Sequence, residues 1–189
     1  MLPYTIQNYL ADQIQVPRFS IDAPEFVAAE KAVNEKIAKL MAIKGTRSVD
    51  SIHKELGLVM WDNVGMARTK ESLEKALKEI DRVEKIFWSD LRIPGEADTL
   101  NIELEKALRL LDFIEIGRLM AYDALNREES CGGHFREEHQ TEEGEAKRDD
   151  ENYSYVACWK YTGQGQEPEL IKEDLNYQYI KVQQRNYKN

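Results

Sequence analysis

Thr69-Lys70-Glu71-Ser72-Leu73-Glu74-Lys75-Ala76-Leu77-Lys78-Glu79-Ile80-Asp81-Arg82-Val83-Glu84-Lys85-Ile86-Phe87 decides the fold. Leu73, Ala76, Leu77, Ile80, Val83 and Phe87 recur every three or four residues, and most positions between them are charged. That period places the apolar side chains on one stripe of an α-helix, and Thr69 is a residue type that caps a helix start. A helix with one apolar stripe must bury it against another element. The rest of the chain has to supply that element.

Outward on the C-terminal side, Ile93-Pro94-Gly95 is a break, followed by a long helix from about Asp98 to Glu129. At 1.5 Å per residue it extends roughly 45 Å. Its apolar positions include Leu100, Leu104, Leu108, Leu111, Leu119, Tyr122 and Leu125. On the N-terminal side a helix opens near Ser48, with Val49, Ile52, Leu56 and Met60 on one face, and loosens around Asn63-Val64-Gly65. Before it, Asp22-Ala23-Pro24-Glu25 reads as a capping box. Phe26, Val33, Ile37, Leu40 and Met41 follow at helical spacing until Gly45. Several such helices with short connections pack as an antiparallel bundle. The fold class is mainly α, with three or four bundle helices.

The ends differ from this middle. Residues 1–22 show no helical period and read as an irregular lead-in, so the bundle occupies 23–130. From His134 to Glu151 there are eight acidic residues against three basic ones and almost no apolar content, which gives an acidic surface loop. Within the tail, Tyr153–Tyr161 alternates like a strand, Gly163 to Pro168 is turn-rich, and Tyr177–Val182 alternates again. A short β-hairpin or two extended arms over 131–189 fit this pattern. Two strands alone are marginal in water and need another surface to lie on.

At 189 residues the chain fits one domain with a substantial core. Its net charge of −9, without a basic stripe or Lys/Arg clusters interleaved with aromatics, argues against nucleic acid as a partner. No apolar run approaches the roughly 18 residues that span a bilayer, so direct membrane insertion is not expected. The N-terminus lacks the basic and apolar regions of a secretory signal. Cys131 and Cys158 are too few for a disulfide framework and read as free thiols in a reducing, cytosolic setting.

Few residues offer chemistry. His134 and His139, with Glu137 or Glu138, suggest a metal site only in outline, since zinc needs three or four ligands on a rigid frame. They read as loop histidines, and His53 as a packing or solvent-edge residue. Cys131 and His134 could pair as nucleophile and base, yet no orienting third group or oxyanion donor accompanies them. Gly132-Gly133 reads as the end of the long helix. The carboxylate cluster lacks the dry pocket that raises a pKa for acid–base work. No glycine-rich loop follows a strand, so no phosphate cradle is present. The residues supply no catalytic, cofactor-binding or metal site.

The segment Asn126-Arg127-Glu128-Glu129-Ser130-Cys131-Gly132-Gly133-His134-Phe135-Arg136-Glu137-Glu138 resembles a landmark near the end of succinate dehydrogenase and fumarate reductase flavoproteins. That landmark reads roughly Arg-x-Glu-Ser-Arg-Gly-x-His-x-Arg-x-Asp, followed by Arg-Asp-Asp and an aromatic. Arg148-Asp149-Asp150-Glu151-Asn152-Tyr153 is similar to its second half. Upstream, Gly57-Leu58-Val59-Met60, Gly65 and Arg68-Thr69 resemble the family's helix-turn segment, and Ile102-Glu103-Leu104 to Ala124 its long helix. The resemblance covers most of residues 50–160. Cys131 departs from the usual arginine, Gly133 stands at the variable position, Glu138 replaces the usual aspartate, and the loop between Arg136 and Arg148 differs in length from many members. The tail most resembles the branch whose flavoprotein serves a diheme cytochrome b anchor. L-aspartate oxidase has a similar C-terminal domain, but the extension through Asn189 favours the dehydrogenase side.

The resemblance implies a detached, non-catalytic C-terminal domain of a larger flavoprotein, starting in mid-structure. In that parent, FAD, usually attached through a histidine, occupies an N-terminal dinucleotide-binding domain, and a capping domain closes over the dicarboxylate. Hydride passes between substrate and flavin, an arginine relays the proton, and electrons leave through an iron–sulfur subunit to a quinone-reactive cytochrome b anchor in the membrane. The parent would be peripheral to the inner face of the cytoplasmic membrane. The residues for this chemistry lie upstream, so none is assigned here. Arg127, His134, Arg136, Arg148 and Asp149 are then expected as docking or network residues, with the acidic loop and tail lying on the remaining flavoprotein. The rival readings are a free-standing helical protein-interaction module with an acidic arm and an enzyme using Cys131 and His134.

Overall fold

The computed structural model describes residues 2–14, 16, 18–163 and 165–183. Helices α1 (Leu2–Gln13), α2 (Pro24–Ala42), α3 (Val49–Val64), α4 (Lys70–Asp90) and α5 (Ile102–Asn126) are followed by a single turn, α6 (Asp150–Tyr153). Strands β1 (Tyr155–Lys160) and β2 (Glu169–Asp174) close the order. Helices α3, α4 and α5 pack on one another, and α2 leans on α5. The result is the expected mainly α bundle with a short C-terminal hairpin.

The core sits between α3, α4 and α5. Leu73, Ala76, Ile80, Val83 and Phe87 of the deciding stripe are buried, and they meet Val49, Ile52 and Leu56 of α3. Ser48 caps α3 by accepting from Ser51 N at 3.2 Å. Thr69 caps α4 in a capping box, its hydroxyl accepting from Ser72 N at 3.1 Å while Ser72 Oγ accepts from Thr69 N at 3.0 Å. Each satisfies donors that a helix start leaves bare.

The buried face of α5 differs from the expected stripe. Leu104, Ala107, Leu110, Ile114, Gly117, Ala121 and Ala124 are buried, whereas Leu108, Leu111, Leu119, Tyr122 and Leu125 are half-exposed. Small residues let the helices approach closely: a Cβ on Gly117 would lie 3.2 Å from Met60 Sδ of α3. The helix is also shorter than expected. It starts after Asn101, which accepts from Leu104 N at 3.0 Å, so Leu100 lies outside and is exposed. It ends at Asn126, and Gly132, at φ +59°, belongs to a tight turn beyond it.

Gly45 has a structural duty. Its N–H donates to Leu91 O at 3.0 Å, Arg47 N to Asp90 O at 2.9 Å, and Arg92 N to Arg47 O at 2.8 Å. The α2–α3 link is thereby stitched to the end of α4. A Cβ on Gly45 would lie 1.9 Å from the Asp90 carbonyl carbon, so only glycine fits.

Three further expectations are corrected. The lead-in over 1–22 is helical over Leu2–Gln13, because Leu2, Ile6, Tyr9 and Leu10 do recur at i, i+4, i+7 and i+8. The Asn and Gln among them hid the period, and no residue of α1 is buried. The cap of α2 is Ala23 with Pro24 at the first turn, without a side-chain cap bond, and Asp22 bonds Ser20 instead. The partner of β1 is Glu169–Asp174 and not Tyr177–Val182, in antiparallel register from Tyr155↔Asp174 to Lys160↔Glu169. Strand pairing is a backbone matter, so a charged edge segment just after the turn closes the hairpin with the shorter loop.

Candidate functional site

The C-terminus of α5 leaves four carbonyls without helical partners. A buried arginine from the following loop meets three carbonyls at this end. Arg136, 2% exposed, donates from Nη1 to Ala124 O at 3.0 Å, Leu125 O at 3.3 Å and Arg127 O at 3.3 Å. Its Nε donates to Glu138 Oε2 at 3.3 Å. A cation at this end also complements the helix dipole. Glu138 completes the link on its other side, since Oε1 accepts from Lys70 N at the start of α4.

The loop is folded tightly around this guanidinium. Ser130, fully buried, accepts from Arg136 N at 2.9 Å and donates to Arg136 O at 3.1 Å. Ser130 N donates to Lys147 O at 2.9 Å. Arg68 N donates to Phe135 O and Glu137 N donates to Arg68 O, so the α3–α4 link runs as a parallel bridge beside Arg136. Glu129, 2% exposed, accepts from Arg127 Nη2 at 2.6 Å and Asp149 N at 3.0 Å. Arg148 pairs with Asp150 and donates from Nη1 to Gln183 O at 3.3 Å, which ties down the tail. Asp149 accepts from Asn152 N at 3.2 Å and starts α6. The expected residues Arg127, His134, Arg136, Arg148 and Asp149 are therefore brought into one network. The acidic loop is less of a free surface than its composition suggests.

His134 Nε2 lies 2.9 Å from Arg127 O, so it carries the proton and donates. Burial lowers the imidazole pKa; the Arg127 carbonyl opposes this, and the guanidiniums of Arg68, Arg127 and Arg136 press it lower still. No hydrogen bond joins the ring to the Cys131 thiol among the described residues. The two residues instead exchange backbone bonds, Cys131 N to His134 O at 2.8 Å and His134 N to Cys131 O at 3.0 Å. Among the described residues no group of three His, Cys, Asp or Glu could hold a metal ion. His139 lines a polar cleft of about 710 Å³ with Lys147, Arg148 and Lys172. His53 stacks on Phe113 with centroids 5.1 Å apart.

The shifted carboxylates all move in the wrong direction for a general acid. Burial would raise Glu138, but the Lys70 N–H and the Arg136 guanidinium take it below its usual value. Burial likewise acts upward on Glu55, and Arg47 and Arg82 outweigh it. Asp149 is lowered by the Asn152 side chain. Groups held as anions are structural clamps, whereas a proton donor near neutral pH must move up.

Two participants were not singled out from sequence. Trp159 of β1 donates from Nε1 to Asp123 Oδ1 at 2.6 Å and meets Tyr122 edge-on with centroids 5.1 Å apart, which docks the hairpin on α5. Arg68 is half-buried, and among the described residues its Nε has no hydrogen-bond partner; the Nε of Arg127 is likewise buried and finds none there. A sequence signal does exist. Arg127, Arg136 and Arg148 each pair with an acid two residues on, Glu129, Glu138 and Asp150. Arg68 has Lys70 at that position.

Comparison with known proteins fits this geometry. The family described as "Fumarate reductase flavoprotein C-term" matches residues 53–187. A fumarate reductase flavoprotein subunit from Serratia sp. is 28% identical over 85% of this chain and 26% of its own length. The succinate dehydrogenase flavoprotein subunit of Bacillus subtilis is 25% identical over 86% of this chain and 26% of its own. Among solved structures, Escherichia coli quinol fumarate reductase FrdA superposes with a TM-score of 0.72 at 22% identity, covering 90% of this chain and 28% of that one. The Mycobacterium smegmatis Sdh1 complex gives 0.67 at 20% identity, covering 89% and 27%. The chain spans about a quarter of the length of these relatives. With the family matched over more than half of the chain and the fold shared, this chain belongs to the fumarate reductase flavoprotein C-terminal family.

Proposed function

We propose that the chain is the non-catalytic supporting domain of an FAD-dependent flavoprotein that interconverts succinate and fumarate. The observation that carries this reading is the family match over residues 53–187. The parent passes electrons through an iron–sulfur subunit to or from a quinone-reactive membrane anchor, and sits at the inner face of the cytoplasmic membrane. Among the described residues no helix is long and apolar enough to cross a membrane, which is compatible with a peripheral attachment. Residues 1–22, 23–130 and 131–189 act as an N-terminal arm, the bundle and a docking tail.

The residues present do not fit FAD. A dinucleotide seat needs a strand, a glycine-rich turn and a helix whose bare N–H groups meet the pyrophosphate. The described strands form only an antiparallel hairpin after the helices. At the start of α4, beside the Arg136–Glu138 pair, Glu138 already takes the Lys70 N–H. Flavin attachment and hydride chemistry therefore belong to the rest of the parent, and no step is assigned to a residue of this chain.

The experiment is reconstitution with the flavin-binding portion. The isolated chain is expected to be colourless and without succinate- or fumarate-dependent activity. Together with the flavin-binding portion, residues 130–183 should resist protease better than in the chain alone. Flavin bound to the isolated chain, or an unchanged cleavage pattern, would falsify the proposal.

A further inference from the structure

We infer that Arg68 is a seat for a carboxylate that this chain does not itself present. The inference concerns Arg68 as a binding group; only the origin of its partner rests on the proposed parent.

Three arginines of the network are each matched by an acid: Arg127 by Glu129, Arg136 by Glu138 and Arg148 by Asp150. Those acids are further engaged, Glu129 by Asp149 N and Glu138 by Lys70 N. Arg68 is the fourth arginine of the cluster, fixed through its backbone to Phe135 and Glu137. Among the described residues its guanidinium makes no hydrogen bond and no ion pair, and its Nε is buried without a partner. Asp123 is the acid acting on it from beyond ion-pair distance, but Asp123 Oδ1 already accepts from the Trp159 indole.

A half-buried cation whose counter-charge stands beyond ion-pair distance is costly, and proteins pair such groups. Burial, the largest influence, lowers the pKa of Arg68, and the neighbouring Arg136 adds to this. Asp123 acts upward from beyond ion-pair distance without reversing the shift, so the charged form is disfavoured on balance. A planar guanidinium takes a carboxylate through two parallel N–H bonds, which a lysine cannot reproduce. The partner is accordingly an Asp or Glu side chain of the flavin-binding portion, or a free small carboxylate. One chemistry serves both.

The two sources separate by experiment. In the isolated chain, the arginine Nε–H resonances are followed in 1H–15N spectra during titration with acetate and with succinate, against sodium chloride at equal ionic strength. A saturable shift confined to Arg68 and its neighbours, absent in Arg68→Gln, establishes the seat with a free carboxylate. In the reconstituted complex, Arg68→Gln should weaken association about tenfold, the scale of one charge-assisted bond, and Arg68→Lys should restore only part of it. That outcome without small-acid saturation establishes a protein carboxylate.

Thermal unfolding of isolated Arg68→Gln guards the interpretation. Among the described residues the substitution removes no hydrogen bond or ion pair, and it relieves a half-buried charge, so the Tm should stay or rise. A clear fall in Tm would reveal an internal partner and overturn the inference. So would the lack of saturation combined with no effect of Arg68→Gln on assembly. If the wild-type chain fails to assemble at all, the parent reading fails; the seat then stands or falls on the acetate and succinate titrations alone.

Discussion

Arg136 gathers what three segments leave unsatisfied: the last carbonyls of α5, the Glu138 carboxylate and, through Ser130, its own loop. Removing one partner of such a buried set leaves the others desolvated and unpaired, which costs more than the set contributed. Arg136→Ala is expected to lower the unfolding free energy by about 3 kcal/mol in urea titrations, with Arg136→Lys intermediate because the ammonium lacks the fork. A loss within experimental error would mean that water replaces the guanidinium at little cost. His134 offers a second test through pH. Its folded pKa lies below the unfolded value of 6.5, so the unfolded chain takes up a proton first on acidification. The stability tied to the neutral ring is full above about pH 6.5 and is lost as pH falls through that value towards the lower folded one. His134→Gln, which can still donate to Arg127 O, should flatten this limb of the stability–pH curve. An unchanged limb would assign it to other groups.

Between elements, close approach matters more than side-chain bulk. Gly45 runs against the Asp90 backbone, where a Cβ has no room and backbone cannot swing aside as a side-chain end would. Gly45→Ala should therefore cost about 3 kcal/mol or more and break the Lys44–Arg92 and Arg47–Leu91 bridges, visible as loss of amide protection at Gly45, Arg47 and Arg92. By contrast, Thr69→Ala deletes one cap of α4 and should cost about 1 kcal/mol. The same contrast explains what could be read from sequence. The stripes of α3 and α4, the start of α3 near Ser48 and the cap at Thr69 were legible because large apolar residues and a capping side chain mark them directly. The buried face of α5 was not, because Ala107, Gly117, Ala121 and Ala124 are chosen for smallness, and a search for bulk selects the half-exposed leucines beside them. The pairing of β1 with Glu169–Asp174 was hidden for a related reason: only Leu170 on that strand points inward, so alternation is absent where the backbone pairs. The network residues Arg127, His134, Arg136, Arg148 and Asp149 were legible through the family landmark. That Arg68 has no hydrogen-bond or ion-pair partner among the described residues is not written in the sequence, because it depends on how the acids of its neighbours are engaged in the fold.

Across the whole molecule, buried and exposed apolar residues segregate. The core belongs to α3, α4 and α5, whereas α1 has no buried residue and α2 buries only Leu40. Leu2, Ile6, Tyr9 and Leu10 of α1, with Phe19, Ile21, Phe26 and Val33 beyond it, are more than half exposed. An amphipathic helix gains most of its stability from the surface that covers its apolar face, and a short one is marginal without it. Deleting residues 1–21 should therefore leave the unfolding free energy of the bundle within about 0.5 kcal/mol, since none of the described residues removed is buried. The same deletion should reduce dye binding to exposed apolar surface and any concentration-dependent association seen by sedimentation. The two readouts must part company. If the deletion costs several kcal/mol, α1 packs on the bundle in solution. If dye binding and association are unchanged, the apolar stripe is not the surface through which the isolated chain associates. In the proposed parent this arm precedes the bundle, so the remaining polypeptide is the natural cover for it, and reconstitution should suppress dye binding by the full chain to the level of the shortened one.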